Sequence, residues 1–149
     1  MARNDNEMSF DIYLPSGWED QTVYHFKGPE IDGRAHMLRL VVDRNLWHDN
    51  MASFVKDKRE LLLETQQGIE VLKDQEVTIH NGNPVHELVY KWMIGEEKTA
   101  FCKYIFVMKD EMGFTFFTEF SKKSYKLLTG QVREIVENLL PGTYETQED

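Results

Sequence analysis

The sequence predicts an α+β domain, a meandering antiparallel sheet of about seven strands with two main helices packed on one face. Three observations predict it. Short segments of alternating apolar and polar residues recur along the chain, separated by turn-forming Gly, Pro, Asn and Asp. One central segment and one near the C-terminus switch to helical periodicity. The strands also come in consecutive runs, which favours hairpin pairing over βαβ crossovers.

In chain order, residues 1–7 are a polar, flexible N-terminus, residues 8–141 a single domain and residues 142–149 an acidic flexible tail. "MSFDIYLP" (8–15) alternates as a strand and stops at Pro15, with Ser16-Gly17 as the turn. "QTVYHFKG" (21–28) is a second strand, and "GPEIDG" (28–33) reads as loop by its Gly and Pro content. "AHMLRLVVDR" (35–44) is a third, with Leu38, Leu40 and Val42 on its core face. Asp49 or Asn50 then caps a helix that carries Met51, Phe54, Val55, Leu61 and Leu62 at helical spacing, with Gly68 as its C′ residue. "IEVLKDQEVTI" (69–79) and "VHELVYKWMI" (85–94) form a hairpin around Asn81-Gly82, and Gly95-Glu96 turns into the next. That last hairpin is "FCKYIFVMKDEMGFTFFTEF" (101–120); a turn at Asp110–Gly113 sets Val107 opposite Phe116 and Phe106 opposite Phe117. Ser121 or Ser124 caps the final helix, whose stripe of Leu128, Val132, Ile135, Val136 and Leu139 runs until Pro141-Gly142.

The last hairpin is apolar on both sides. Phe101, Ile105 and Val107 alternate on one, and Cys102, Tyr104, Phe106 and Met108 on the other. Apolar density assigns the helices to the face of Leu38, Leu40, Val42, Phe101, Ile105, Val107 and Phe116. The opposite face then needs a different cover. An exposed apolar patch above a few hundred Å² marks an interaction surface.

Composition excludes several function classes. A net charge of −9 and a pI of about 5.0 oppose nucleic-acid or anionic-membrane binding. "MARNDNEMSF" has no apolar signal-peptide core and no window approaches a membrane span, so a cytoplasmic protein without stable membrane insertion is expected. His25, His36, His48, His80 and His86 are scattered without HExxH or C-x-x-C spacing, so neither metal nor cofactor is expected. P-loop, Rossmann and nucleophile-elbow motifs are absent. Cys102 sits mid-strand among apolar neighbours, where burial raises a thiol pKa and suppresses reactivity. With no convergent nucleophile, base and oxyanion donors, the sequence does not read as an enzyme.

Two stretches carry a family resemblance: "YLPSGWEDQTVYHF" (13–26), with Leu14-Pro15, Trp18, Asp20-Gln21 and Phe26, and "HNGNPVHELVYKW" (80–92), with Gly82, Tyr90 and Trp92. They resemble the DcrB-related family with its PsbP-like sandwich, and within it the effector-associated (Eag) chaperones of bacterial type VI secretion. The resemblance covers about residues 8 to 141. It implies a cytoplasmic homodimer without enzymatic activity that holds the hydrophobic N-terminal segments of a PAAR-containing effector against a concave sheet face.

Carried onto this sequence, that face consists of Val23, His25, Met37, Val41, Cys102, Tyr104, Phe106, Met108 and Phe117, with Val89 and Met93 added from the central hairpin. His25 and Arg39 are polar departures within it. Trp18, Tyr90 and Trp92 read as core or edge packing, because large aromatics dominate domain cores. The alternatives are an apolar small-molecule carrier, with its ligand between sheet and helices, a homodimeric protein-binding module of the same fold with a different partner, and a permanent homodimer whose interface is the second face.

Overall fold

Two tight turns in the left-handed backbone region determine how the strands meet. The computed structural model describes residues 13–18, 20–44, 48–79, 84–93 and 98–139. Its elements are β1 (Gln21–Ile31), β2 (Arg34–Asp43), α1 (Met51–Thr65), β3 (Ile69–Thr78), β4 (Pro84–Met93), β5 (Thr99–Lys109), β6 (Met112–Phe120) and α2 (Lys122–Leu139). The strands form one antiparallel sheet in the order β1-β2-β6-β5-β4-β3. The α+β class is as predicted, with a 6-stranded sheet among the described residues. Of the strand expected at 8–15, residues 8–12 lie outside the described residues, and Tyr13–Pro15 are not in a strand. The turns at Asn81-Gly82 and Gly95-Glu96 and the 142–149 tail also lie outside them.

The first turn is Asp32-Gly33, with φ of 55° and 76°. β1 therefore runs through 28–31, across a register irregularity between Lys27 and Glu30, where a loop is expected from composition. The second is Asp110-Glu111, with φ of 53° and 64°. Two left-handed residues give the mirror-image hairpin turn whose twist matches the flanking strands. This tighter turn shifts the expected register: Val107 faces Phe114, Phe106 faces Thr115, Ile105 faces Phe116 and Tyr104 faces Phe117. Glutamate is strained at positive φ, so Glu111→Gly is expected to raise stability by about 0.5–1 kcal/mol in a denaturant titration. A loss of stability would show that the turn is not the strained element.

Local capping starts both helices. The Asn50 side chain accepts the Ser53 amide at 2.9 Å, and Ser121 and Ser124 exchange side-chain bonds with each other's amides at 3.1 and 2.9 Å. At its end α1 closes with the Gln66 amide on the Leu62 carbonyl; Gly68 instead turns the chain into β3, where its carbonyl accepts the Met93 amide.

The helices lie on opposite faces, where one shared face is expected from the sequence. α2 packs Leu128, Val132 and Val136 on Leu38, Leu40, Val42, Ile105, Val107 and Phe116, the predicted core face. α1 packs Phe54 and Val55 on Leu88, Tyr90, Ala100, Cys102 and Phe106 of the other side. Alternation along β5 separates the two cores residue by residue. The second apolar side of the last hairpin is thus covered by the chain's own first helix.

The α2 core contains one charged cluster. Glu87, wholly buried, accepts from Lys73 at 3.0 Å and from Arg133, and lies 3.6 Å from Lys103. Lys103 also donates to Thr129 of α2 at 2.8 Å. Burial alone pushes the Glu87 carboxyl up, but the Arg133 and Lys73 hydrogen bonds and the Lys103 charge outweigh it and hold the carboxyl below the usual range. Burial lowers the Lys103 ammonium; the Glu87 charge opposes that shift.

Candidate apolar groove on the α1 face

Strand pairing arranges the α1 face in cross-strand rows. One row reads His25, Arg39, Phe117, Tyr104, Leu88 from β1 to β4. The next reads Val23, Val41, Thr115, Phe106, His86. A third places Cys102 between Glu119 and Tyr90. α1 meets the sheet over β5 and leaves the β1–β2 ribbon open. Arg59 of α1 fastens it there, donating to both oxygens of Asp74 at 3.0 and 2.8 Å, while His86 Nε2 lies 2.5 Å from the same carboxylate.

The predicted client face divides along this line. Val23, His25, Met37 and Val41 lie on the open ribbon, with Val23 43% and Met37 47% exposed. Tyr104, Met108 and Phe117 are partly buried against the α1 core. Cys102 and Phe106, at 0% and 1% exposure, belong to that core and offer no surface. Val89 and Met93 alternate to the α2 face, because Tyr90 and Trp92 take the α1 side of β4. A one-residue register choice reverses every side chain of a strand.

Of the residues carrying the resemblance, Tyr90 is buried and donates to Gln66 at 3.2 Å, and Trp92 donates to the Gln67 carbonyl at 3.0 Å. Both tie β4 to the chain leaving α1. Trp18, expected in core or edge packing, is 72% exposed. Burial pushes the Cys102 thiol up to about 11, so it stays protonated at neutral pH. Burial also raises Tyr104, against the pull of the Arg39 charge.

Between α1 and the ribbon lies a cavity of about 230 Å³ whose lining includes Arg39, Val41, Leu62, Tyr104, Phe106 and Thr115. The Arg39 guanidinium sits 5.1 Å from the centre of the Phe117 ring. The expected register already sets Thr115 on this face, opposite Met108, but a threonine does not stand out in a search for apolar residues; the two-residue turn moves it opposite Phe106. The described residues contain no cluster of metal-ligating side chains and no helix long and apolar enough to cross a membrane.

Residues 10–125 match the DcrB family. No curated protein matches the chain. The crystal structure of a Pseudomonas aeruginosa protein of unknown function matches at a TM-score of 0.68 and 18% identity, covering 89% of this chain and 91% of that one. At that identity the likeness speaks for the fold alone. The family match spans most of the sequence and takes in both stretches from which the resemblance was drawn, so this chain belongs to the DcrB family.

Proposed function

We propose that the protein is a non-catalytic chaperone that keeps a hydrophobic helix of a type VI secretion effector in solution, on the open half of its α1 face. The effector class rests on the resemblance in residues 13–26 and 80–92. The observation that carries the binding mode is the set of incompletely buried apolar residues on this open ribbon, Val23 paired with Val41 and Met37 beyond the His25–Arg39 row, with exposed Leu61 of α1 at its edge. Such a strip can bury the flank of an apolar helix at roughly 25 cal/mol per Å². The site is smaller than the sequence suggests, since α1 occupies the half over Cys102 and Phe106.

Tyr24 and Phe26 stack at 6.2 Å on the other side of the same ribbon and remain exposed. A homodimer would cover them and leave the client strip free. Light scattering at low micromolar concentration is then expected to report about twice 17.6 kDa. A monomer that stays soluble at high concentration would remove the dimer from this reading.

The direct test is co-purification with the N-terminal hydrophobic segment of a PAAR-containing effector. Val41→Asp adds a charge to the half-buried strip outside both cores, so the variant is expected to stay folded and lose the client. A folded variant that retains the client at wild-type level would sink the proposal. One observation favours a second reading, a carrier of amphiphilic anions. A cavity of about 620 Å³ lies between α2 and the β3–β5 strands, with Val89, Phe101 and Tyr125 in its lining and Lys122 and Lys126 at α2. Saturable binding of a long-chain acyl anion, unaffected by Val41→Asp, would support the carrier instead.

A further inference from the structure

Two buried polar atoms at the cavity beside α1, the Thr115 hydroxyl and Arg39 Nε, have no hydrogen-bond partner among the described residues. The Thr115 side chain is 6% exposed, and its hydroxyl makes no hydrogen bond among the described residues. Arg39 Nε is likewise buried and without an acceptor, and no ion pair to Arg39 occurs among the described residues. Asp43, on the same face, stands four residues further along β2, too far along an extended strand to meet Arg39. Its Oδ1 accepts from Gln21 at 2.9 Å, and its Oδ2 lies 3.5 Å from Lys58 without a hydrogen bond among the described residues.

Register places these two groups together. Arg39 pairs with Phe117 and Val41 with Thr115, so Arg39 and Thr115 are diagonal neighbours on adjacent strands, and both line the same cavity. The rest of the lining is mixed. Val41, Leu62 and Phe106 form apolar walls and the Phe117 ring lies against the guanidinium, while Tyr104, whose hydroxyl is within reach of Arg39, and the cation Lys58 also face the cavity. Buried polar groups without partners are rare, and two cations facing one half-enclosed cavity, Arg39 and Lys58, favour an anion there. Arg39 Nε and the Thr115 hydroxyl can both donate, so the missing group is an acceptor, and an anionic acceptor also neutralises the cation.

We infer that this cavity is a carboxylate subsite of the groove: Arg39 and Thr115 hold an Asp or Glu side chain carried by the hydrophobic helix that the strip binds. The inference rests on the helix-binding reading above and adds a selection rule to it. A cavity of about 230 Å³ has room for one side chain and not for a second helix. An ionisable residue inside an otherwise apolar helix is expensive in a bilayer and marks function there. The subsite would shield that one residue in water while the strip covers its apolar flanks, and it would favour such helices over uniformly apolar ones.

The test uses the full chain and two synthetic helices of about twenty residues, a Leu/Ala body with flanking lysines and one central Glu or Gln. Fluorescence titration at neutral pH is expected to show the Glu helix binding about tenfold more tightly than the Gln helix. Arg39→Met and, separately, Thr115→Val should each shrink that ratio towards one while leaving affinity for the Gln helix in place. Equal affinity of the wild-type protein for both helices overturns the subsite and leaves the chaperone reading standing. A Glu preference that survives Arg39→Met also overturns the subsite. Failure to bind either helix overturns both. The wild-type comparison needs no variant, so a poorly folding mutant does not obstruct it.

Discussion

Glu87→Gln is expected to lower unfolding free energy at pH 7 by about 3–5 kcal/mol, the range for removing one partner of a buried ion pair. The carboxylate is wholly enclosed, and three cations converge on it from β3, β5 and α2. Lys73 and Arg133 are more than a third exposed and can turn to water, which limits what each contributes. Lys103 cannot, because its side chain is 4% exposed. Gln fills the same space but leaves Lys103 and Arg133 facing each other without an anion. Urea titration of the two proteins measures the difference. A loss of only a few tenths would mean that the cluster is solvated and does not anchor α2.

The same carboxylate sets an acid limit. Its folded pKa lies below its ordinary value of 4.5, so its contribution is fully present above that value and is lost as pH falls through the folded pKa. Wild-type stability should therefore fall more steeply than that of Glu87→Gln as pH drops below 4.5. Lys103 works in the opposite sense. Its folded pKa is lowered by burial, so its charge opposes folding at neutral pH, and that penalty lifts as pH climbs toward 10.5.

Phe106→Ala is expected to cost about 3–5 kcal/mol, comparable to Ile105→Ala at about 2–5 kcal/mol on the other face. Phe106 meets Phe54 of α1 edge-on at 5.8 Å and stacks on Tyr104 at 5.6 Å, so truncation opens a hole under the helix. Its neighbour Ile105 supports α2. Adjacent residues of one strand should thus be comparably sensitive in urea melts. A surface-like result at either position would show that the helix above it does not rest on the sheet. For the same reason an Asp at position 106 would unfold the protein and cannot report on client binding, whereas Val41 lies outside both cores.

Much of the architecture is written in local signals. The helices begin where Asn50 and Ser121 place their caps, and the α2 core is the aliphatic set that alternation picks out on β2 and β5. What periodicity does not carry is which helix goes to which face. The stripes of α1 and α2 are both apolar, and either could sit on either side of a sheet whose central strands are apolar on both. The other misses trace to turn chemistry. Asp32-Gly33 is a strong two-residue hairpin signal hidden within a stretch that composition marks as loop. Asp110-Glu111 lacks the glycine that normally advertises such a turn, and a longer turn there slides the β5–β6 pairing by two residues without changing faces. On β4, Val89 and Tyr90 are both large and buried, so hydrophobicity cannot say which one faces α1.

The strand order has a consequence during synthesis. The ribbon of β1 and β2 and the ribbon of β3 and β4 are the outer parts of the sheet, and β5 and β6 join them. Leu38 must wait for Thr118 before its row is complete, and Leu88 for Tyr104. As the chain leaves the ribosome from its N-terminus, two hairpins with open inner edges therefore exist before anything can bridge them. Closure of the sheet belongs to the last third of translation, the topology that folds slowly because distant segments must meet first. For a polypeptide proposed to shelter the greasy segments of another protein, its own nascent form is the stage most in need of shelter.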